Sequence, residues 1–123
     1  MSRILVVEDE PNNLELALRI VRHAGHDATV ATDGVTALEL ARRIHPELIL
    51  LDLQLPKLDG WTVVRELRGE PWAARVPIIA VSASATPGDE FKAIAAGCTA
   101  FLAKPYYPAA LRDVLTRNLA AAV

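Results

Sequence analysis

The chain has 123 residues, 52% of them hydrophobic, which is the length of one domain and enough apolar surface for a core. A net charge of -2 provides no basic field for nucleic acid, and no apolar run approaches the ~20 residues of a membrane span. Cys98 is the single cysteine, which excludes an intrachain disulfide and a cysteine metal cluster and suits a reducing, cytoplasmic setting.

Residues 4–7 form an uninterrupted apolar run that ends in Glu8-Asp9-Glu10. Such a run reads as a strand buried on both faces, as in parallel sheets, and it is too short for a signal peptide. Met1, directly before it, is expected to be a natural start. Pro11 suits a first helical turn, and Leu14, Ala17, Leu18, Val21 and Ala24 recur at helical spacing up to a stop at Gly25. Asp27 to Ala31 reads as a second strand. Asp33-Gly34 opens a helix with Val35, Leu38, Ala41 and Ile44 on one face, ended by Pro46. Leu48 to Asp52 is a third strand, four apolar residues closing in an acid. Pro56 and Asp59-Gly60 then break the chain into a loop.

A helix follows Gly60 with Val63, Val64 and Leu67 inward, and residues 69–75 read as a loop. Residues 76–81 are a fourth strand, ending in Ser82-Ala83-Ser84. Pro87 starts a helix whose apolar residues are Phe91, Ile94 and Ala95, stopped by Gly97. Residues 99–103 are a fifth strand, followed by Lys104-Pro105. Tyr106, Tyr107 and Pro108 begin the last helix, with Leu111, Val114, Leu115 and Leu119 on one face and a fraying end at residues 120–122.

Strands alternating with helices force parallel pairing, right-handed crossovers and helices on both faces. The expected fold is α/β: a flavodoxin-like, doubly wound (βα)5 unit over residues 1–123, with a five-stranded parallel sheet in the order 2-1-3-4-5. All strand ends then lie on one edge. Glu8 and Asp9, Asp52, Ser82 and Lys104 follow four neighbouring strands, so three carboxylates converge with one hydroxyl and one ammonium. Clustered acids repel. Lys104 supplies one positive charge, and a hard divalent cation such as Mg²⁺, which prefers oxygen ligands, would supply two more. This set suits aspartyl-phosphate chemistry with Asp52 as nucleophile.

Over its whole length the chain resembles the receiver domain of two-component response regulators, of the stand-alone, chemotaxis-regulator-like kind. The resemblance rests on Glu8-Asp9, on Leu51-Asp52 with Pro56 and Asp59-Gly60, on Ser82-Ala83, and on Lys104-Pro105, in that order and at those spacings. It implies a phosphorylation-activated signalling module whose Asp52 accepts a phosphoryl group from a histidine kinase or histidine phosphotransfer protein. It implies Mg²⁺ held by Asp9, Asp52 and the backbone carbonyl of Gln54, with Glu8 acting mostly through water. Ser82 and Lys104 would contact the phosphoryl group, Lys104-Pro105 would be a cis bond, and Phe101 would be a switch aromatic. The surface made by the fourth helix, fifth strand and fifth helix would change for a downstream protein partner. The module would not be an enzyme beyond its own phosphorylation and dephosphorylation, would bind neither nucleic acid nor membrane, and would be a monomer or weak dimer.

Glu8 stands where many members have aspartate, Ser82 where threonine is frequent, and Phe101 lacks a tyrosine's hydroxyl. Two other classes use related chemistry or folds. A phosphatase of the haloacid-dehalogenase type needs a second acid two residues after the nucleophile, where Gln54 stands. A flavin carrier needs a phosphate loop after the first strand, where Glu8-Asp9-Glu10 would repel phosphate. Trp61 and Trp72 are expected to pack, Cys98 to be a small buried hydrophobe, and His23, His26 and His45 to be surface residues. Tyr106 and Tyr107 are either ordinary half-buried aromatics or part of a partner-facing surface.

Overall fold

A computed structural model of the protein describes residues 2–121. Five strands, β1 (Arg3–Val7), β2 (Asp27–Ala31), β3 (Leu48–Asp52), β4 (Ile78–Ser82) and β5 (Ala100–Ala103), alternate with α1 (Pro11–His23), α2 (Gly34–Ile44), α3 (Gly60–Arg68), α4 (Pro87–Ala96) and α5 (Pro108–Ala121). Every strand pair is parallel and the order is β2-β1-β3-β4-β5.

The unbroken apolar runs are explained by a sheet with a core on each face. Successive side chains of a strand point to opposite faces. Leu5, Val7, Ile49 and Leu51 pack with Ala37, Leu38 and Ala41 of α2, with Val63, Val64 and Leu67 of α3, and with Ala93 of α4. Their neighbours Ile4, Val6, Leu48 and Leu50 pack with Ala17, Ile20 and Val21 of α1 and with Leu111, Val114 and Leu115 of α5. Each fully buried aliphatic side chain contributes about 1.5–3 kcal/mol relative to exposure. Trp61 and Trp72 pack at the margin of the first core, and Cys98 is buried within it, as the sequence reading expects.

Several expectations are corrected. β4 begins at Ile78 rather than at residue 76, because Pro77 has no N–H to donate and Val76 turns its carbonyl to Arg68 Nη1 at 2.7 Å. Its last residue is Ser82, one beyond the predicted end. β5 starts at Ala100, since Thr99 uses its hydroxyl to accept from Ile78 N at 3.0 Å. The stretch read as a loop over residues 69–75 contains a 3₁₀ turn, Pro71–Ala73, and Trp72 stacks on His45 with ring centroids 4.3 Å apart.

On α2, Val35 is 44% exposed, and the buried stripe is Gly34, Ala37, Leu38 and Ala41. Steps of three residues drift around a helix with 3.6 residues per turn, so Val35, Leu38, Ala41 and Ile44 cannot share one face. On α4, Phe91 is 75% and Ile94 47% exposed, and Ala93 is the buried residue. Tyr106 and Tyr107 precede α5 rather than beginning it, with Tyr106 packed on the second core and Tyr107 exposed. The fraying expected over residues 120–122 meets a helix that runs to Ala121, and Ala122 lies outside the described residues, as does Met1.

Candidate functional site

Register sets the site. Val7 lies opposite Leu51, Asp52 opposite Val81, and Ser82 opposite Ala103, so the residues that end or follow β1, β3, β4 and β5 meet at one sheet edge. The ladder continues past the strands: Leu53 N donates to Val81 O at 3.1 Å, Lys104 N to Ser82 O at 2.9 Å, and Glu8 N to Ala31 O at 3.1 Å. These bonds hold the functional side chains on ordered backbone.

Oxygen atoms of Glu8, Asp9 and Asp52 lie within 4.8 Å of one another. Lys104 Nζ donates to Glu8 Oε1 at 2.5 Å and to Asp52 Oδ2 at 3.2 Å. The other oxygen of Glu8 accepts the amides of Asp9 and Glu10, each at 3.1 Å, and Asp52 Oδ1 accepts the Gln54 amide at 3.0 Å. Glu8 and Asp52 are each 5% exposed, whereas Asp9 is open to solvent.

Burial pushes the Glu8 carboxyl above its usual range. The bond from Lys104 opposes that push, and the neighbouring Asp52 reinforces it. Burial alone would lower the Lys104 ammonium, but the bond to Glu8 and the charges of Asp52 and Glu8 raise it, so the lysine stays charged. Burial also raises the Tyr106 hydroxyl beside this group.

The end of β3 is braced by the start of α3. The Gly60 amide donates to Leu53 O at 3.0 Å, and a Cβ at Gly60 would come to 2.6 Å from Leu53 Cα and 2.7 Å from Asp52 O. Only a glycine lets the start of α3 approach the strand end this closely. Asp59 caps that helix through Thr62 N at 2.9 Å.

Glu8, Asp9, Asp52 and Lys104 are therefore brought together. Ser82 is buried at the end of the neighbouring strand, and its Oγ accepts the Ser84 amide at 3.1 Å. The Lys104–Pro105 peptide bond is cis. Gln54 is exposed. Phe101 lies across from Ala80 on β5, half-buried, beside a cavity of about 250 Å³ lined also by Ala85, Thr86, Pro87, Glu90 and Ala103. The donor set suits a hard cation: all ligand atoms are oxygen, Lys104 bonds only two of the three carboxylates, and Asp9 is open to solvent.

Sequence reasoning overlooked two clusters. Arg68, half-buried, donates to the carbonyls of Ala73, Val76 and Gly97 at 2.7 to 2.8 Å and so ties α3 to the segments flanking β4 and α4. Nothing local in the sequence marks it. Ser84, Thr86 and Asp89 join at the start of α4. Their signal was present, because Thr86-Pro87-Gly88-Asp89 has the spacing of a capping box with proline in the first turn.

Comparison with known proteins places these features in company. Residues 4–116 match the family model described as the response regulator receiver domain. The chain is 37% identical over 102 residues to the polar-differentiation response regulator DivK of Brucella ovis, with 83% of each sequence covered. It superposes with a TM-score of 0.90 and 39% identity on the receiver domain of sensor histidine kinase PA1611 from Pseudomonas aeruginosa PAO1, covering 97% of this chain and 98% of that one. That structure has a magnesium ion coordinated in its active-site cleft. The chemotaxis response regulator CheY4 of Vibrio cholerae superposes with a TM-score of 0.90 at 26% identity, over 96% of this chain and 98% of its own.

Proposed function

Because the chain belongs to the response regulator receiver domain family, we propose that it is a phosphorylation-activated module of two-component signalling whose Asp52 accepts a phosphoryl group from a phosphohistidine. The observation that carries this reading is the convergence of oxygens of Glu8, Asp9 and Asp52 within 4.8 Å of one another, with the Lys104 ammonium bonded to Glu8 and Asp52. A carboxylate in that setting is a nucleophile positioned beside groups that neutralise phosphoryl charge.

In the transfer, an Asp52 carboxylate oxygen forms the new P–O bond while the P–N bond to the donor imidazole breaks, its electron pair leaving with the imidazole nitrogen. Lys104 is within hydrogen-bond reach of Asp52 and meets the negative oxygens of the transferring group. Its second bond, to Glu8, keeps the ammonium aimed at the acceptor when no phosphoryl group is present. Ser82 donates its hydroxyl proton to a further phosphoryl oxygen. Asp9, Asp52 and the carbonyl of Gln54 would hold Mg²⁺, with Glu8 contributing through water. When bound, the ion neutralises charge on the transferring group.

The donor is a histidine kinase or histidine phosphotransfer protein, and the output is a change in the α4, β5 and α5 surface. Exposed Phe91 and Ile94 on α4, with half-buried Phe101 beside its cavity, support that choice of surface. Residues 1–123 act as one receiver unit in the cytoplasm, as a monomer or weak dimer, without turnover of a separate substrate. No helix among the described residues is long and apolar enough to cross a membrane.

The test is intact-protein mass after incubation with acetyl phosphate and Mg²⁺. One added phosphoryl group is expected on the wild type and none on Asp52→Asn, which keeps the shape and removes the nucleophile. Equal labelling of both proteins would refute Asp52 as the acceptor.

A further inference from the structure

The N-terminal ends of the strands form the sheet edge opposite Asp52. Ser2 precedes β1, Glu47 precedes β3, and Val76 and Pro77 precede β4, and these three strands are neighbours. With Trp72, Arg75 and Leu119 of α5 they line a cavity of about 330 Å³. Ligand sites run from about 300 to 1,000 Å³, so this one suits a small ligand. Its walls are held by ordered groups. Glu47 N donates to Arg3 O at 2.9 Å, and Arg3 N donates to Glu47 Oε1 at 3.1 Å. Ile49 N donates to Pro77 O at 2.9 Å. Trp72 is fixed by its stack on His45, with the rings 5° from parallel, and by its indole N–H, which donates to Glu70 Oε1 at 2.9 Å.

Two opposite charges share this cavity without bonding each other. Among the described residues Arg75 makes no ion pair, and the acid nearest in sequence, Glu70, is taken by Arg42 at 2.8 Å. Glu47 makes no ion pair among them either, since the guanidinium of Arg3 turns to Ile44 O at 2.7 Å. The rest of the lining is mostly apolar: Val76, Pro77, Leu119 and the indole.

We propose that this cavity binds a free α-amino acid with an apolar side chain, its carboxylate at Arg75, its ammonium at Glu47 and its side chain against the apolar wall. A simple anion or a simple cation would satisfy one of the two charges and leave the other without a partner. A charged side chain would meet the apolar wall without one. The guanidinium fork of Arg75 matches a carboxylate. Glu47 commits one oxygen to the Arg3 amide and keeps the second to accept from an ammonium. Both charges stand exposed at the rim, so each contributes modestly, and contact with the apolar wall supplies the rest. The site is independent of the phosphoacceptor reading and gives the chain a second input at the other end of the same strands.

The test is a titration of the full chain with L-phenylalanine, in a Trp61→Phe background that leaves Trp72 as the one indole. Trp72 emission should change saturably with a Kd on the order of 1 mM, the affinity that about a dozen non-hydrogen atoms supply at ordinary efficiency. Hydrocinnamate lacks the ammonium and phenethylamine lacks the carboxylate. Each should bind about fivefold more weakly, the upper scale of one exposed ion pair. Glu47→Gln keeps the oxygen that takes the Arg3 amide and should erase the advantage of phenylalanine over hydrocinnamate. Arg75→Gln should erase its advantage over phenethylamine.

NMR shifts of the Glu47, Trp72 and Val76 amides in the wild type should follow the same curve, which decides the matter if Trp61→Phe fails to fold. The absence of a saturable change at these amides overturns the site. Equal binding of the three compounds, or curves that both substitutions leave unmoved, overturns the zwitterion assignment and the proposal with it.

Discussion

Lys104 bonds two of the three clustered carboxylates, Glu8 and Asp52, and the arrangement sets the electrostatics of the whole edge. Glu8 and Asp52 share the lysine, and Asp9 is the open member of the set. A divalent cation that binds the folded chain alone should stabilise it by mass action, by about 2.7 kcal/mol at a hundredfold excess over Kd. Thermal unfolding followed across a MgCl₂ titration should therefore show a rising midpoint. Asp9→Asn should lose most of that rise while matching or exceeding the wild type in chelator, because it removes one repelling charge. A metal-dependent rise of full size in Asp9→Asn would exclude this residue as a ligand. At this scale the four charged positions were readable, since each ends a strand or follows one within two residues. Their mutual bonds were not. The Glu8–Lys104 pair joins residues 96 positions apart, and no local pattern says which acid the lysine reaches first.

Among the elements, four of the five helices have a carboxylate in their N-terminal cap. Glu10 caps α1, Asp33 α2 and Asp59 α3, and the side chain of Asp89 closes the capping box of α4. Hydrogen bonds to these carboxylates hold all four below their usual range: backbone amides lead for Glu10, Asp33 and Asp59, and side-chain hydroxyls lead for Asp89. A carboxyl depressed in the folded state stabilises fully above its unfolded value near pH 4 and ceases to do so as pH falls through the lower folded value. Urea midpoints should fall as pH drops below about 4. Asp59→Asn keeps a capping oxygen and loses the titration, so its decline should be shallower. An unaltered pH profile in that variant would remove Asp59 from the account. Helix starts were legible because a cap is a local signal of a few residues. Helix faces were less so. Apolar residues on α2 and α4 were in plain view, but Val35 falls off the buried stripe because steps of three drift around the helix, and Phe91 and Ile94 stay outside while Ala93 is buried.

On the scale of the molecule, one sheet separates two cores that share its strands residue by residue. Loss of packing on either face should thus be felt on both. Leu111 of α5 is fully buried on one face, and Trp61 and Trp72 pack against the core on the other. Leu111→Ala should cost about 2–5 kcal/mol. Its urea transition should shift equally by tryptophan fluorescence and by far-ultraviolet circular dichroism, as a single cooperative unit requires. A fluorescence midpoint that stays in place while the dichroism moves would mean that the two cores unfold separately. The sequence by itself determined the alternation of elements, the parallel sheet with its 2-1-3-4-5 order, and the edge on which the acids and the lysine meet. It did so because unbroken apolar strands require cover on both faces, and parallel crossovers bring every strand's C-terminal end to one side. Only the tertiary structure decided which oxygen bonds the lysine, which face of α4 is left bare, and that Ser84 joins the strand end to the helix. Those outcomes depend on distances of a few ångströms between segments remote in the chain, set by how the helices seat on a twisted sheet, and composition and periodicity do not encode such distances.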